Sequence, residues 1–129
     1  MSVLIIEDDE GVRQSLAEVL QDEDYEVVSV ANGAQGLESL KSDPLPSLIV
    51  FDLNMPGMDG SEFRSRQLSD QRIAEIPVIV ISARPDIAEQ ARRLQATDFL
   101  AKPMSFEELL HVVQNRAVTE VGVPDGMND

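Results

Sequence analysis

Residues 48–60 read Leu-Ile-Val-Phe-Asp-Leu-Asn-Met-Pro-Gly-Met-Asp-Gly, and this order predicts a buried strand that runs into a tight loop. The four apolar residues from Leu48 to Phe51 do not alternate with polar ones, which is typical of a strand covered on both faces in a parallel sheet. The Pro-Gly and Asp-Gly pairs that follow favour turns, so the strand should end near Asp52. Ligands of open α/β sheets bind at the carboxyl ends of the strands, which makes Asp52 a candidate site residue.

The rest of the chain alternates between strand and helix patterns. Further strands are predicted at residues 3–6, 25–30, 78–81 and 98–101. Helices are predicted from apolar residues at helical spacing. These residues are Val12, Leu16, Val19 and Leu20, then Ala34, Leu37 and Leu40, then Phe63 within residues 61–68, then Ile87, Ala91 and Leu94 after Pro85 in the first turn, and finally Phe106, Leu109, Leu110 and Val113. Five β-α repeats predict an α/β fold with a parallel sheet between two layers of helices.

Length and composition limit the classes of protein to which the chain can belong. A chain of 129 residues fits one domain, which we predict at residues 1–118, with residues 119–129 as a disordered tail or the start of a linker. The net charge of −14 opposes direct binding of nucleic acid, because few cations are available to replace counterions on phosphates. The chain has no cysteine, no apolar run of membrane-spanning length and no leader pattern, so we expect a cytoplasmic protein without disulfides.

Polar side chains follow four of the five predicted strands. They are Glu7 and Asp8, Asp52, Ser82 and Lys102. Parallel strands end at a shared edge, where three carboxylates would repel one another unless a cation joined them. Lys102 offsets part of that charge, and Mg²⁺, which prefers oxygen ligands, offsets more. Carboxylates, a hydroxyl and an ammonium beside Mg²⁺ are suited to the transfer of a phosphoryl group to Asp52.

Four motifs in this order resemble the receiver domain of bacterial two-component response regulators. They are Leu-Ile-Ile-Glu-Asp-Asp at residues 4–9, Asp-Leu-Asn-Met-Pro-Gly-Met-Asp-Gly at 52–60, Val-Ile-Ser-Ala at 80–83 and Lys-Pro at 102–103. The resemblance extends from Val3 to about Ala117. It implies a doubly wound (βα)5, flavodoxin-like fold with five parallel strands in the order 2-1-3-4-5 and helices on both faces.

The resemblance also implies roles for the residues at the strand ends. Asp52 would be the phosphoacceptor and one of the ligands of Mg²⁺. Asp8 would bind Mg²⁺ directly, Glu7 mostly through water, and Asn54 through its backbone carbonyl. Ser82 would form a hydrogen bond to the phosphoryl group, and Lys102, before a cis Pro103, would pair with it.

A switch and its partners follow from the same resemblance. Movement of Ser82 toward the phosphoryl group would leave space for Phe99 to turn inward, which would change the face formed by the fourth helix, the last strand and the last helix. The phosphoryl donor would be a sensor histidine kinase or a phosphotransfer protein. The resemblance does not identify the downstream effector protein or domain. The last helix lacks a dense set of charged residues, so a monomer or weak dimer is expected.

The resemblance implies a phosphorylation-dependent signalling switch that catalyses only its own phosphorylation and dephosphorylation, and two other functions are alternatives to it. A haloacid-dehalogenase phosphohydrolase needs a second Asp two residues after the nucleophile, but Asn54 stands there. A receiver that docks proteins without phosphate remains the alternative.

Two positions affect details of the expected site. The turn before the last strand carries Gln95 where the family usually has Gly, so a positive φ would strain it. Arg84 could reach toward the phosphoryl group or shield it.

Overall fold

The structure, a computed structural model, describes residues 1–116 and contains one parallel sheet of five strands in the order β2-β1-β3-β4-β5. The strands are β1 (Ser2–Ile6), β2 (Glu26–Val30), β3 (Leu48–Asp52), β4 (Val78–Ser82) and β5 (Asp98–Ala101). The helices are α1 (Glu10–Asp22), α2 (Gly33–Ser39), α3 (Gly60–Leu68), α4 (Ile87–Arg93) and α5 (Phe106–Arg116). The predicted fold class and strand order are confirmed. The tail predicted at residues 119–129 lies outside the described residues.

Two hydrophobic cores lie on opposite faces of the sheet, because successive side chains of a strand point to opposite faces. Val3 and Ile5 of β1 pack in the core that includes Leu16 of α1 and Leu109 of α5. The alternate β1 residues, Leu4 and Ile6, pack in the core that also contains Leu40, Phe63 of α3 and Ile87 of α4. Strands β3 and β4 are buried along their whole length, as their unbroken apolar runs predict.

Helix α2 contacts the sheet through glycines as well as through two residues of the predicted apolar stripe, since Leu37 and Leu40 pack in the core that contains Ile6. Ala34, which was predicted to be buried, is exposed, while Gly33 and Gly36 are buried. A Cβ atom at Gly36 would lie 2.5 Å from Cδ1 of Ile6. A side chain at that position would therefore require the side chain of Ile6 to move.

Two other predictions at helix starts are wrong. Phe106, expected on the inner face of the last helix, is 54% exposed because it is the first residue of α5 and lies at the edge of the core. Pro85 precedes α4, which begins at Ile87 after Asp86, so it belongs to the turn that enters the helix.

Helix caps agree with the sequence. Asp9 is the N-cap of α1, and its carboxylate accepts a hydrogen bond from Val12 N at 3.0 Å. A capping box begins α5, since Glu108 N donates to Ser105 Oγ and Ser105 N donates to Glu108 Oε1, both at 3.1 Å. Across residues 1–116, no helix combines the length and the apolar character that crossing a lipid bilayer requires.

Candidate functional site

The strand order brings the predicted polar residues to one edge of the sheet. Glu7 directly follows β1, Asp52 ends the central strand β3, and Ser82 ends β4. Lys102 directly follows β5 at the same edge. This is the edge at which parallel α/β sheets bind their ligands.

Three carboxylates form a compact acidic cluster there. Glu7, Asp8 and Asp52 each offer one oxygen, and these oxygens all lie within 4.8 Å of one another. Glu7 and Asp52 are buried, with 1% and 6% of their surface exposed, whereas Asp8 is exposed. The cluster therefore has two buried members and one that faces solvent.

Lys102 joins the two buried carboxylates. Its Nζ donates hydrogen bonds to Asp52 Oδ2 at 2.6 Å and to Glu7 Oε2 at 3.0 Å. Burial alone would lower the pKa of Lys102, but hydrogen bonds and charge attraction from both carboxylates outweigh it and raise that pKa above its usual value. The ammonium therefore stays charged between the two acids.

The carboxyl group of Glu7 holds its proton more tightly than an ordinary glutamate. Its burial raises its pKa to about 7, and the charge of Asp52 contributes in the same direction, while the hydrogen bond from Lys102 only partly opposes the rise. One ammonium is thus insufficient to neutralise the cluster.

The donor set fits a hard divalent cation. Carboxylate oxygens are the ligands that Mg²⁺ prefers, and an exposed member such as Asp8 leaves room for the waters that this ion retains. Asp52 is held in place by Asn54, whose N–H donates to Asp52 Oδ1 at 2.9 Å. The loop after β3 thereby folds back onto the central carboxylate, and the ligand role of the Asn54 carbonyl stays a prediction.

The predicted switch residues lie on β4 and β5, the two strands that follow β3 in the sheet. Asp52 is aligned with Ile81 in the sheet register, so Ser82 stands one residue further along the neighbouring strand. Ser82 is fully buried, and its Oγ accepts a hydrogen bond from Arg84 N at 3.0 Å. Phe99, aligned with Val80 on β5, has 37% of its surface exposed and is thus turned outward.

The side chain of Arg84 forms an ion pair with a residue of its own loop. Its Nε and Nη2 donate to the two carboxylate oxygens of Asp86, each at 2.9 Å. The guanidinium is thus paired with Asp86, and its reach toward a phosphoryl group, or its shielding of one, stays a prediction.

Sequence reasoning missed one residue next to the acidic cluster. Arg13 of α1 lies outside the apolar stripe of its helix, yet its Nη1 donates to the backbone carbonyl of Glu7 at 2.8 Å. The signal was its position four residues after the N-cap Asp9, which places it one helical turn above the loop that carries the acids.

An apolar cavity of about 670 Å³ opens beside the site. Its apolar lining includes Val12, Met104 and Phe106, and its polar lining includes Asp9 and Lys102. The exposed ring of Phe106 therefore borders a cavity next to the residues of the site.

Comparison with known proteins gives a consistent result. A family model described as the response regulator receiver domain matches residues 3–114. The transcriptional regulatory protein PdtaR of Mycobacterium tuberculosis is 36% identical over 112 residues, which cover 87% of this chain and 54% of PdtaR. The response regulator MprA of Mycobacterium avium is 37% identical, with 85% of this chain and 48% of MprA covered. The chain thus spans about half the length of these curated relatives.

Solved structures with the same fold are also similar in sequence. The chemotaxis protein CheY4 of Vibrio cholerae superposes with a TM-score of 0.81 at 29% identity, covering 89% of this chain and 97% of CheY4. The response regulator TrrA of Thermotoga maritima, solved in complex with Mg²⁺-BeF, gives a TM-score of 0.76 at 26% identity, covering 87% of this chain and 95% of TrrA.

Proposed function

The chain belongs to the response regulator receiver domain family of signalling domains, and from this premise we propose that it is a phosphorylation-dependent switch with Asp52 as the phosphoacceptor. One observation carries the proposal. Asp52 lies next to Glu7, Asp8 and Lys102 at the carboxyl edge of the sheet. These residues are far apart in the sequence, yet they surround one buried carboxylate.

Asp52 is proposed to accept the phosphoryl group from a phosphorylated histidine. An Asp52 carboxylate oxygen attacks phosphorus as the phosphorus–nitrogen bond breaks. The imidazole nitrogen leaves with the electron pair of that bond and takes up a proton. Lys102 already donates a hydrogen bond to Asp52, so its ammonium is close enough to pair with the oxygens of the group that arrives there. The chain would catalyse only its own phosphorylation and dephosphorylation.

The acidic cluster is proposed to hold the Mg²⁺ that the transfer needs. Asp8 and Asp52 would bind it directly, Glu7 mostly through water, and Asn54 through its carbonyl. When bound, the ion supplies positive charge that offsets repulsion between the carboxylates and the phosphoryl oxygens. The Mg²⁺-BeF complex of TrrA supports this assignment, because that protein shares the fold and the family.

Signalling is proposed to pass through Ser82 and Phe99. Ser82 Oγ accepts a hydrogen bond from Arg84 N, which uses only a lone pair of the hydroxyl, and a phosphoryl group on Asp52 would offer its O–H a strong acceptor. Movement of the β4–α4 loop toward that acceptor would leave space for the ring of Phe99, which is now exposed. The outward and inward states would present different surfaces on α4, β5 and α5.

The partners are proposed to be proteins. A sensor histidine kinase or a phosphotransfer protein would supply the phosphoryl group, and the cavity beside Lys102 offers it an apolar surface next to the acceptor. The matched region makes up about half of PdtaR and of MprA, which supports an effector function outside the receiver domain. The net charge of −14 disfavours direct binding of nucleic acid by this chain.

Acetyl phosphate, a small phosphodonor, tests the proposal directly. With Mg²⁺, the wild-type chain should gain one phosphoryl group in intact-protein mass spectrometry, and EDTA should prevent the gain. Asp52→Asn should abolish it, because the amide cannot attack phosphorus. Asp22→Asn, an exposed residue at the end of α1, is the matched control and should be modified like the wild type.

Two results would contradict the proposal. One is a wild-type chain that stays unmodified with acetyl phosphate and Mg²⁺, which would favour the docking domain that works without phosphate. The other is modification that persists in Asp52→Asn, which would place the acceptor elsewhere.

A further inference from the structure

No side chain among the described residues holds the carboxylate of Asp8 in place. Among residues 1–116, it takes part in no side-chain hydrogen bond or ion pair, whereas Glu7 and Asp52 are both held by Lys102. The position of the Asp8 carboxylate therefore depends on the backbone that carries it.

The backbone around Asp8 is fixed from both sides. After it, Asp9 N donates to Glu7 Oε1 at 3.2 Å, and Asp9 caps α1. Before it, the carbonyl of Glu7 accepts a hydrogen bond from Arg13 Nη1 at 2.8 Å. That carbonyl belongs to the peptide unit whose nitrogen is that of Asp8, so Arg13 fixes the plane from which Asp8 projects.

We propose that Arg13 is a positioning residue for divalent-cation binding, which holds the Glu7–Asp8 peptide so that the Asp8 carboxylate faces Asp52. The inference rests on the proposed function, because it assigns Arg13 a part in the same Mg²⁺ site. Arg13 acts through the backbone and touches neither the ion nor the phosphoryl group. Groups that orient metal ligands in this way typically change metal affinity by about 10- to 100-fold when removed.

The positioning role and a simple charge effect predict opposite results. Arg13 is a cation near the acidic cluster, so its charge alone weakens the binding of a second cation. Removing that charge would strengthen Mg²⁺ binding if charge were its only influence. Removing a positioning residue weakens binding instead, because Asp8 is released. The sign of the change in affinity therefore separates the two roles.

Isothermal titration of Mg²⁺ into the unphosphorylated chain measures this sign. Arg13→Met, which keeps the aliphatic stem and removes the guanidinium, should bind Mg²⁺ about tenfold more weakly than the wild type. Arg13→Lys keeps a donor that can reach the carbonyl and should recover part of the loss. Arg66→Met removes the same charge from an exposed position on α3 and should leave the affinity nearly unchanged.

Urea unfolding without metal accompanies the titration, so that lost structure is not mistaken for lost positioning. Arg13→Gln is a second variant, because glutamine favours a helix about as well as arginine does. Its shorter side chain lacks the guanidinium, so it should also bind Mg²⁺ more weakly than the wild type. If the wild type binds Mg²⁺ and Arg13→Met binds it equally well or more tightly, the inference is overturned and the proposed function stays intact. A wild-type chain that did not bind Mg²⁺ would overturn both.

Discussion

Glu7 is a residue whose protonation in the folded chain differs from that in the unfolded chain. Below its usual pKa of 4.5 it is protonated in both states, and above about 7 it is ionised in both. Between these values the folded chain keeps a proton that the unfolded chain releases. Stability from Glu7 is therefore present at low pH and is lost as the pH rises toward 7.

The first prediction concerns this loss in metal-free protein. Between pH 4.5 and pH 7 the wild type should lose stability relative to Glu7→Gln, by up to ~3 kcal/mol, because the glutamine stays neutral. Urea unfolding in EDTA at several pH values measures the difference. A gap between the two proteins that does not change with pH would contradict the raised pKa of Glu7.

Gln95 adopts a left-handed backbone conformation, which is unfavourable for a residue with a side chain. Its φ is +56°, as expected for the position where the family usually has Gly, and its side chain is exposed. Gln95→Gly should therefore stabilise the chain by about 0.5–1 kcal/mol in urea unfolding. Gln90→Gly, within helix α4, is the control and should destabilise it by about 1 kcal/mol. Equal effects at the two positions would show that the strain at Gln95 is negligible.

At the scale of elements, a buried polar network joins α3 to the turn before β5. Arg64 is buried, and its guanidinium donates to the carbonyls of Leu94 and Gln95 and to Gln67 Oε1 at 2.8–2.9 Å. Gln67 in turn donates to the carbonyls of Ile73 and Ile76, both at 3.0 Å. These two residues tie α3 to both loops that precede the last two strands.

Removing the guanidinium should therefore loosen these loops. Arg64→Met should lower the free energy of unfolding by about 2–3 kcal/mol, because several acceptors lose a charged donor and only some can reach water. Arg64→Lys should recover only part of this loss, since one ammonium cannot reproduce the planar set of donors.

Arg66 provides a control on the same helix. It pairs with Glu62 at the surface, where 59% of its side chain is exposed, so Arg66→Met should cost at most ~0.5 kcal/mol. If the two methionine variants unfolded at the same urea concentration, the network would not contribute to stability.

The elements that the sequence predicts well are those whose side chains carry the signal. Strands β3 and β4 are unbroken apolar runs, and both are fully buried. Helix α2 is different, because the buried Gly36 lies against Ile6 of β1 and a glycine has no side chain to mark a buried face. Arg64 and Gln67 were missed for the opposite reason, since charged and polar residues indicate solvent until their buried partners are known.

The site was predictable as a set of residues but not as a set of contacts. The strand-end positions of Asp52, Ser82 and Lys102 follow from the topology of a parallel sheet. The contact of Arg13 with the Glu7 carbonyl depends on how α1 is placed over the first loop, and neither hydrophobic spacing nor residue type specifies that placement.

At the scale of the whole molecule, the net charge of −14 is spread over a small domain and opposes its compact state. Monovalent salt screens this repulsion over about 10 Å at 0.1 M. Screening acts on all surface charges, whereas a bound Mg²⁺ would act on the three clustered carboxylates alone. The two effects are thus separable by comparing salts at equal ionic strength.

The last prediction uses this separation. Sodium chloride should raise the free energy of unfolding gradually in both the wild type and Asp8→Asn, because both carry a large excess of negative charge. Mg²⁺ at matched ionic strength should add a further ~2.7 kcal/mol to the wild type at 100 times its Kd, since it binds only the folded chain. Asp8→Asn should lose most of this addition because it lacks one charged ligand. Equal stabilisation by the two salts in urea unfolding of the wild type would mean that the acidic cluster does not bind Mg²⁺ specifically, and that repulsion over the whole surface accounts for the response.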